Sequence, residues 1–122
     1  MVVKAAERAL AEQRQALRLL AARFDTAVDD MEMFFRLAAR LDELLGAACH
    51  NRFLVEALAA TRGQCRRLWY FQREHVNLPR AAQLHGGLSR AVADGDGAGA
   101  IRALDEIVAT LEGLVNGLDV LS

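Results

Sequence analysis

Three observations in the sequence predict an all-α protein, an antiparallel bundle of about five to six helices. Hydrophobic residues make up 53 % of the chain, and the excess over an average protein lies in Ala and Leu, which are strong helix formers. Apolar side chains recur at spacings of three and four, with charged residues between them, which is the period of a helix with one buried face. No run alternates apolar and polar residues as a half-buried strand does, and there is a single proline.

The first element is read as one long amphipathic helix over residues 3–28, with Leu10, Leu17, Leu20, Ala21, Phe24 and Val28 on one face. Asp29 and Asp30 supply an N-cap and a negative first turn for a second helix, which buries Phe34, Ala38, Leu41, Leu45 and Ala48. His50 and Asn51 interrupt the pattern, and Asn51 caps a third helix whose face runs through Leu54, Leu58, Thr61, Cys65 and Leu68. That helix carries Trp69, Tyr70 and Phe71 at its far end and stops before Asn77. Pro79 suits the first turn of a fourth helix burying Ala81, Leu84, Leu88 and Val92, in which Gly86 and Gly87 mark close packing or a local kink. Asp94-Gly95-Asp96-Gly97 is a turn, and beyond it Ile101, Leu104, Val108, Leu111, Val115 and Leu118 alternate spacings of three and four as a heptad seam. Ile107, Leu114 and Leu121 widen that stripe, which places the last helix at the centre of the bundle or against a second subunit.

The 122 residues suit one domain with one core, spanning 1–122. A net charge of −1 gives no broad basic field for collecting phosphates, so generic nucleic-acid affinity is not expected. Cys49 and Cys65 form neither a metal-type pair nor a disulfide framework and read as reduced thiols. Charges interrupt every apolar run before the roughly 20 residues needed to span a bilayer, and the N-terminus has no signal-peptide core. A soluble, cytoplasmic, bacterial-type chain that does not enter a membrane is the expectation.

Several constellations offer chemistry and are weighed against plainer readings. Asp94, Asp96, Gly99 and Asp105 mimic a calcium loop, but Ala98 fills a ligand position and Asp105 is shorter than the usual bidentate Glu, so a helix-helix turn capped by Asp96 is favoured. The stretch Arg66-Arg67-Leu68-Trp69-Tyr70-Phe71-Gln72-Arg73 interleaves bases and aromatics like a nucleic-acid surface. On a helix, however, these residues point all around the axis, so the aromatics pack while Arg67 and Arg73 meet solvent. No Glu is followed three residues later by His, which excludes a di-iron bundle, and no phosphate loop or nucleophile elbow is present. With no nucleophile, base and orienter assembled by spacing, the chain does not read as an enzyme. His50 and His75 fall at helix ends. His85, beside Leu84 and Leu88, faces the core and is either a hydrogen-bonded core residue or an effector contact.

The string Asp29-Asp30-Met31-Glu32-Met33-Phe34-Phe35-Arg36-Leu37, continuing through Leu45-Gly46-Ala47-Ala48-Cys49-His50-Asn51-Arg52-Phe53-Leu54, resembles the effector-sensing C-terminal domain of GntR-type bacterial regulators, the FCD domain of the FadR subfamily. The stretch Leu84-His85-Gly86-Gly87-Leu88 through Ala93-Asp94-Gly95-Asp96 to Ala103-Leu104 is similar to that family's second signature. The resemblance covers roughly residues 15 to 121, and about the first helix of the family is expected to be missing. It implies an antiparallel bundle of six or seven helices with a central cavity for a small carboxylated metabolite, often bound through a metal held by one Asp and three His. Those four positions fall here on Ala38, Asp42, His85 and Ile107, so no resident metal or other cofactor is expected, because Ala38 and Ile107 replace ligands.

The resemblance also implies arginines on the third helix that hold a ligand carboxylate. Arg62 and Arg66 match, with a solvated helix face as the alternative. The expected ligand site is therefore Arg62, Arg66, His85 and Asp42, taking a small-molecule carboxylate effector in a homodimer. The family's winged-helix domain has no counterpart in these residues, so DNA is expected to be reached only through a domain outside the chain. The competing reading is a helical protein-protein interaction or dimerisation module without a small-molecule cavity, working through the 101–118 seam. An enclosed cavity lined by His85 and arginine favours sensing, and a solid core beside an exposed seam favours interaction.

Overall fold

The computed structural model of the chain describes residues 2–49, 66–74 and 76–121, with side chains described as far as Gly113. All regular structure among these residues is α-helical, as the sequence predicts. The helices are α1 (Val2–Arg8), α2 (Ala11–Phe24), α3 (Met31–Ala48), α4 (described over 66–71), α5 (Leu78–Ala93) and α6 (Gly97–Leu121).

The single long first helix expected over residues 3–28 is two helices. Leu10 adopts an extended conformation (φ −77°, ψ 162°), and its N–H donates to Gln13 Oε1 at 2.8 Å instead of joining the ladder of α1. The carbonyls left at the end of α1 are taken by Arg14, whose Nη2 donates to Ala6 O at 2.9 Å and Nε to Ala9 O at 3.1 Å. The same guanidinium reaches Val92 O and Ala93 O, at 3.2 and 3.0 Å, so one cation closes the C-terminal ends of both α1 and α5, where the helix dipoles are negative.

The remaining boundaries follow local chemistry. Asp30 Oδ1 accepts from the Met33 N–H at 3.0 Å and starts α3, and Asn77 Oδ1 accepts from the Arg80 N–H at 3.1 Å and starts α5, with Pro79 in the first turn. Asp96 Oδ1 accepts from the Gly99 N–H at 2.9 Å and starts α6, the capping role preferred over a calcium loop, and Gly95 supplies the positive φ of +72° in the turn before it.

Helix α5 is the hub, packed against α1, α2, α3 and α6. Its contact with α2 is the most extensive, and the pairing of Arg14 with Ala93, Leu17 with Ser89 and Phe24 with His85 shows the two running antiparallel. Ser89 is fully buried and donates from Oγ to Leu17 O at 2.7 Å. The helices approach closely at Gly86, where a Cβ would sit in van der Waals contact, 3.4 Å from Phe24 Cβ and 3.5 Å from Ala21 O. It is close packing that Gly86 marks, and α5 runs unbroken through it.

Among the helices whose contacts are described, α6 packs against α5 and α1. Ala100 and Ile107 are buried, with Leu104 and Leu111 packed beside them, whereas Ile101 and Val108 of the expected seam are exposed. Of the aromatic run, Trp69 is buried and Tyr70 half-buried, but Phe71 is 70 % exposed, so that residue does not pack as expected.

Candidate functional site

The backbones of helices α3 and α6 do not approach within 8 Å (Cα–Cα) among the described residues, although both lie against α5. Between them, closed on one side by α4 and floored by α5, is a cavity of about 380 Å³, within the usual range of small-molecule sites. Its walls are mostly apolar: Phe34, Ala38, Leu41 and Leu45 come from α3, Trp69 from α4, and Leu88 from α5. The α6 wall is Leu104, Ile107, Val108 and Leu111, so residues of the heptad seam line this space. Two short side chains in the α3 stripe, Ala38 and Ala39, open the room that larger residues there would fill.

Four side chains bring polarity to the cavity: Arg36 and Asp42 from α3, Arg66 from α4 and His85 from α5. Three of the four expected site residues, Arg66, His85 and Asp42, thus share one cavity. Arg62 lies outside the described residues, as do His50, Asn51 and Cys65 of the third-helix reading, and His75. Arg36 is absent from the expected set. The sequence does place it one turn before Ala39, on the flank of the Phe35, Ala38, Ala39 and Asp42 stripe, but nothing in the spacing separates it from any other solvated arginine.

His85 is wedged into an aromatic cluster. Its ring meets Phe34 edge-on with centroids 4.9 Å apart and lies 5.7 Å from the ring of Phe24, while Phe34 also contacts Trp69 at 5.1 Å. Nδ1 donates to Ala81 O at 2.8 Å one turn back, which fixes the neutral tautomer with its proton on Nδ1 and leaves Nε2 as an acceptor. The ring is only half-buried because one side borders the cavity, yet protein surrounds it. Desolvation of the cation pushes its pKa from 6.5 down to about 4, against a smaller upward pull from the Ala81 carbonyl. The hydrogen-bonded core role and a place on the cavity wall, alternatives in the sequence, are both features of the one side chain.

Arg66 stands at the rim, half-exposed. Nη2 donates to Glu32 Oε2 at 3.0 Å, and the guanidinium carbon lies 5.4 Å from the Phe35 ring centroid and 5.7 Å from that of Tyr70. The exposed ion pair contributes at most about 1 kcal/mol. Its effect is to hold the guanidinium plane over two rings with most of its N–H groups unused.

The four positions where the resemblance places metal ligands, Ala38, Asp42, His85 and Ile107, all border the cavity. Two of them carry no donor atom, and one carboxylate with one imidazole leaves a divalent ion far short of its ligands. No cluster of three or more His, Cys, Asp or Glu residues suited to a metal occurs among the described residues, so the residues present do not fit the metal.

No described helix is long and apolar enough to cross a membrane. No curated protein and no solved structure matches the chain. The family model of the FCD domain matches residues 1–110, a span that includes α1 and every described residue of the cavity except Leu111. With its helical bundle and cavity, the chain belongs to the FCD domain family of regulatory, non-catalytic domains.

Proposed function

We propose that the chain is the effector-binding domain of a GntR-like transcription regulator and senses a small carboxylated metabolite in the cavity between α3 and α6. The observation that carries this reading is that cavity: about 380 Å³, apolar over most of its wall, with Arg66, His85 and Asp42 converging on it from three helices. A ligand seated there touches α3 and α6 at once, and among the described residues the backbones of these helices do not approach within 8 Å (Cα–Cα). Its binding energy therefore biases the spacing of the two helices, a rigid-body shift passed through a homodimer to attached DNA-binding domains.

The test is a screen of carboxylated metabolites by thermal shift, with calorimetry on hits. A true effector at a hundredfold excess over its Kd adds about 2.7 kcal/mol of stability. Absence of any hit, or hits whose affinity is unchanged in Arg66→Gln and His85→Leu variants, overturns sensing at these residues. Exposed Ile101 and Val108 favour the second reading, a dimerisation or interaction module. That reading alone survives if Ile101→Glu, at a position outside the cavity wall, abolishes self-association while no ligand is found.

A further inference from the structure

We propose, resting on the sensing reading above, that the cavity takes a monocarboxylic acid with an apolar body and no metal ion, its carboxylate held at the mouth by Arg36 together with Arg66. The inner wall argues for the apolar body. Ala38 and Ile107, at the two positions deprived of ligand atoms, join Leu41, Leu88 and Leu104 in a surface that offers no partner to ligand hydroxyls. A polyhydroxylated acid would find only the His85 acceptor and the Asp42 carboxylate for its hydroxyls and would bury the others unpaired against this surface, whereas hydrocarbon gains from the same burial.

The charges argue for a single carboxylate and for its place. His85 is neutral, its Nδ1–H is committed to Ala81 O, and its remaining nitrogen is an acceptor that repels a carboxylate. Along α3, Asp42 lies six residues beyond Arg36, about 9 Å at the helical rise, so carboxylate and guanidinium enter the cavity at separate points. On the Arg36 side Arg66 spends one N–H on Glu32. Arg36 is exposed and lines the cavity but makes no ion pair or hydrogen bond with the described residues. Arg40, Arg80 and Arg90, by contrast, are each matched with a carboxylate. Glu32, the partner of Arg66, lies one turn before Arg36 on α3, and two guanidinium groups with unused donors lining one cavity are suited to bidentate capture of a carboxylate.

Calorimetry on the full chain after EDTA treatment tests this with butyrate, pentanoate, hexanoate and octanoate, and with malate and citrate, each with and without added Mn²⁺. Affinity is expected to rise by about fourfold per methylene through hexanoate. It should be indifferent to EDTA and Mn²⁺, and Arg36→Gln and Arg66→Gln should each weaken hexanoate binding by about tenfold or more. Both positions are exposed, so circular dichroism and melting of the free variants should match the parent. A flat series, an unchanged affinity in Arg36→Gln, or malate or citrate binding that appears only with Mn²⁺ overturns this inference while leaving the sensing reading in place. If no acid of either kind binds, both fall.

Discussion

Acidification through the range in which an ordinary histidine titrates is expected to destabilise the bundle through His85. Its folded-state pKa of about 4 lies below the unfolded value of 6.5, so between these pH values the unfolded chain takes up a proton that the folded chain refuses. Stability is therefore full above pH about 6.5, falls as the pH drops toward 4, and levels off below it. The gap of about 2.5 pH units corresponds to a limiting loss of about 3 kcal/mol, of which about 2 kcal/mol accrues between pH 7.5 and pH 5.0. Other groups titrate in the same window, so the measurement is a comparison. Urea unfolding at pH 7.5, 6.5, 5.5 and 5.0 is followed for the parent chain and for His85→Leu, which replaces the imidazole with a side chain suited to the neighbouring Phe24 and Phe34. The variant should lose about 2 kcal/mol less than the parent across that range. Equal losses in the two proteins would mean that the ring is protonated without penalty in the folded state, and the burial argument for a neutral acceptor on the cavity wall would fail.

Arg14→Ala removes donors to four backbone carbonyls at two helix ends and should cost about 2–4 kcal/mol by urea unfolding, with Arg14→Lys recovering less than half because an ammonium cannot span all four. A loss below about 0.5 kcal/mol would show that the α1–α2 break does not depend on that side chain. Gly87→Ala should stabilise α5 by about 0.5–1 kcal/mol, since a Cβ there meets nothing within 4 Å; destabilisation in thermal melts would contradict this. Asp96→Ala should lose about 1 kcal/mol of cap energy, and millimolar calcium should leave the melting temperature of the parent chain unchanged. A calcium-dependent rise in melting temperature would restore the ligating reading of the 94–105 segment.

Which parts were legible follows from the range of the interactions. The starts of α3 and α6 were readable because Asp30 and Asp96 each bond to an N–H three residues away, so cap and target lie in one short string, and that of α5 was marked by Pro79, its Asn77 cap going unread. The break at Leu10 was not readable. No glycine or proline marks it, and Arg14, which caps the end of α1, also bonds to carbonyls 78 and 79 positions along the chain. The α6 stripe was recognised as wide, but periodicity does not say which part of a wide stripe is covered. Packing on α5 and α1 buries Ala100 and Ile107 and leaves Ile101 and Val108 outside.

The candidate site divides along the same line. The sequence by itself determined the helical class, the caps Asp30 and Asp96 and the inward side of His85, since each depends on residue type and local period, while the family resemblance supplied the loss of donor atoms at positions 38 and 107. Only the tertiary structure decided that α3 and α6 stand apart around a cavity, that Arg36 and Arg66 both line it, and that the imidazole between two phenylalanines stays neutral. A cavity is a space left between helices distant in sequence, and desolvation is the summed effect of every atom around a group. Both are fixed by packing and have no counterpart in the order of residues along one helix.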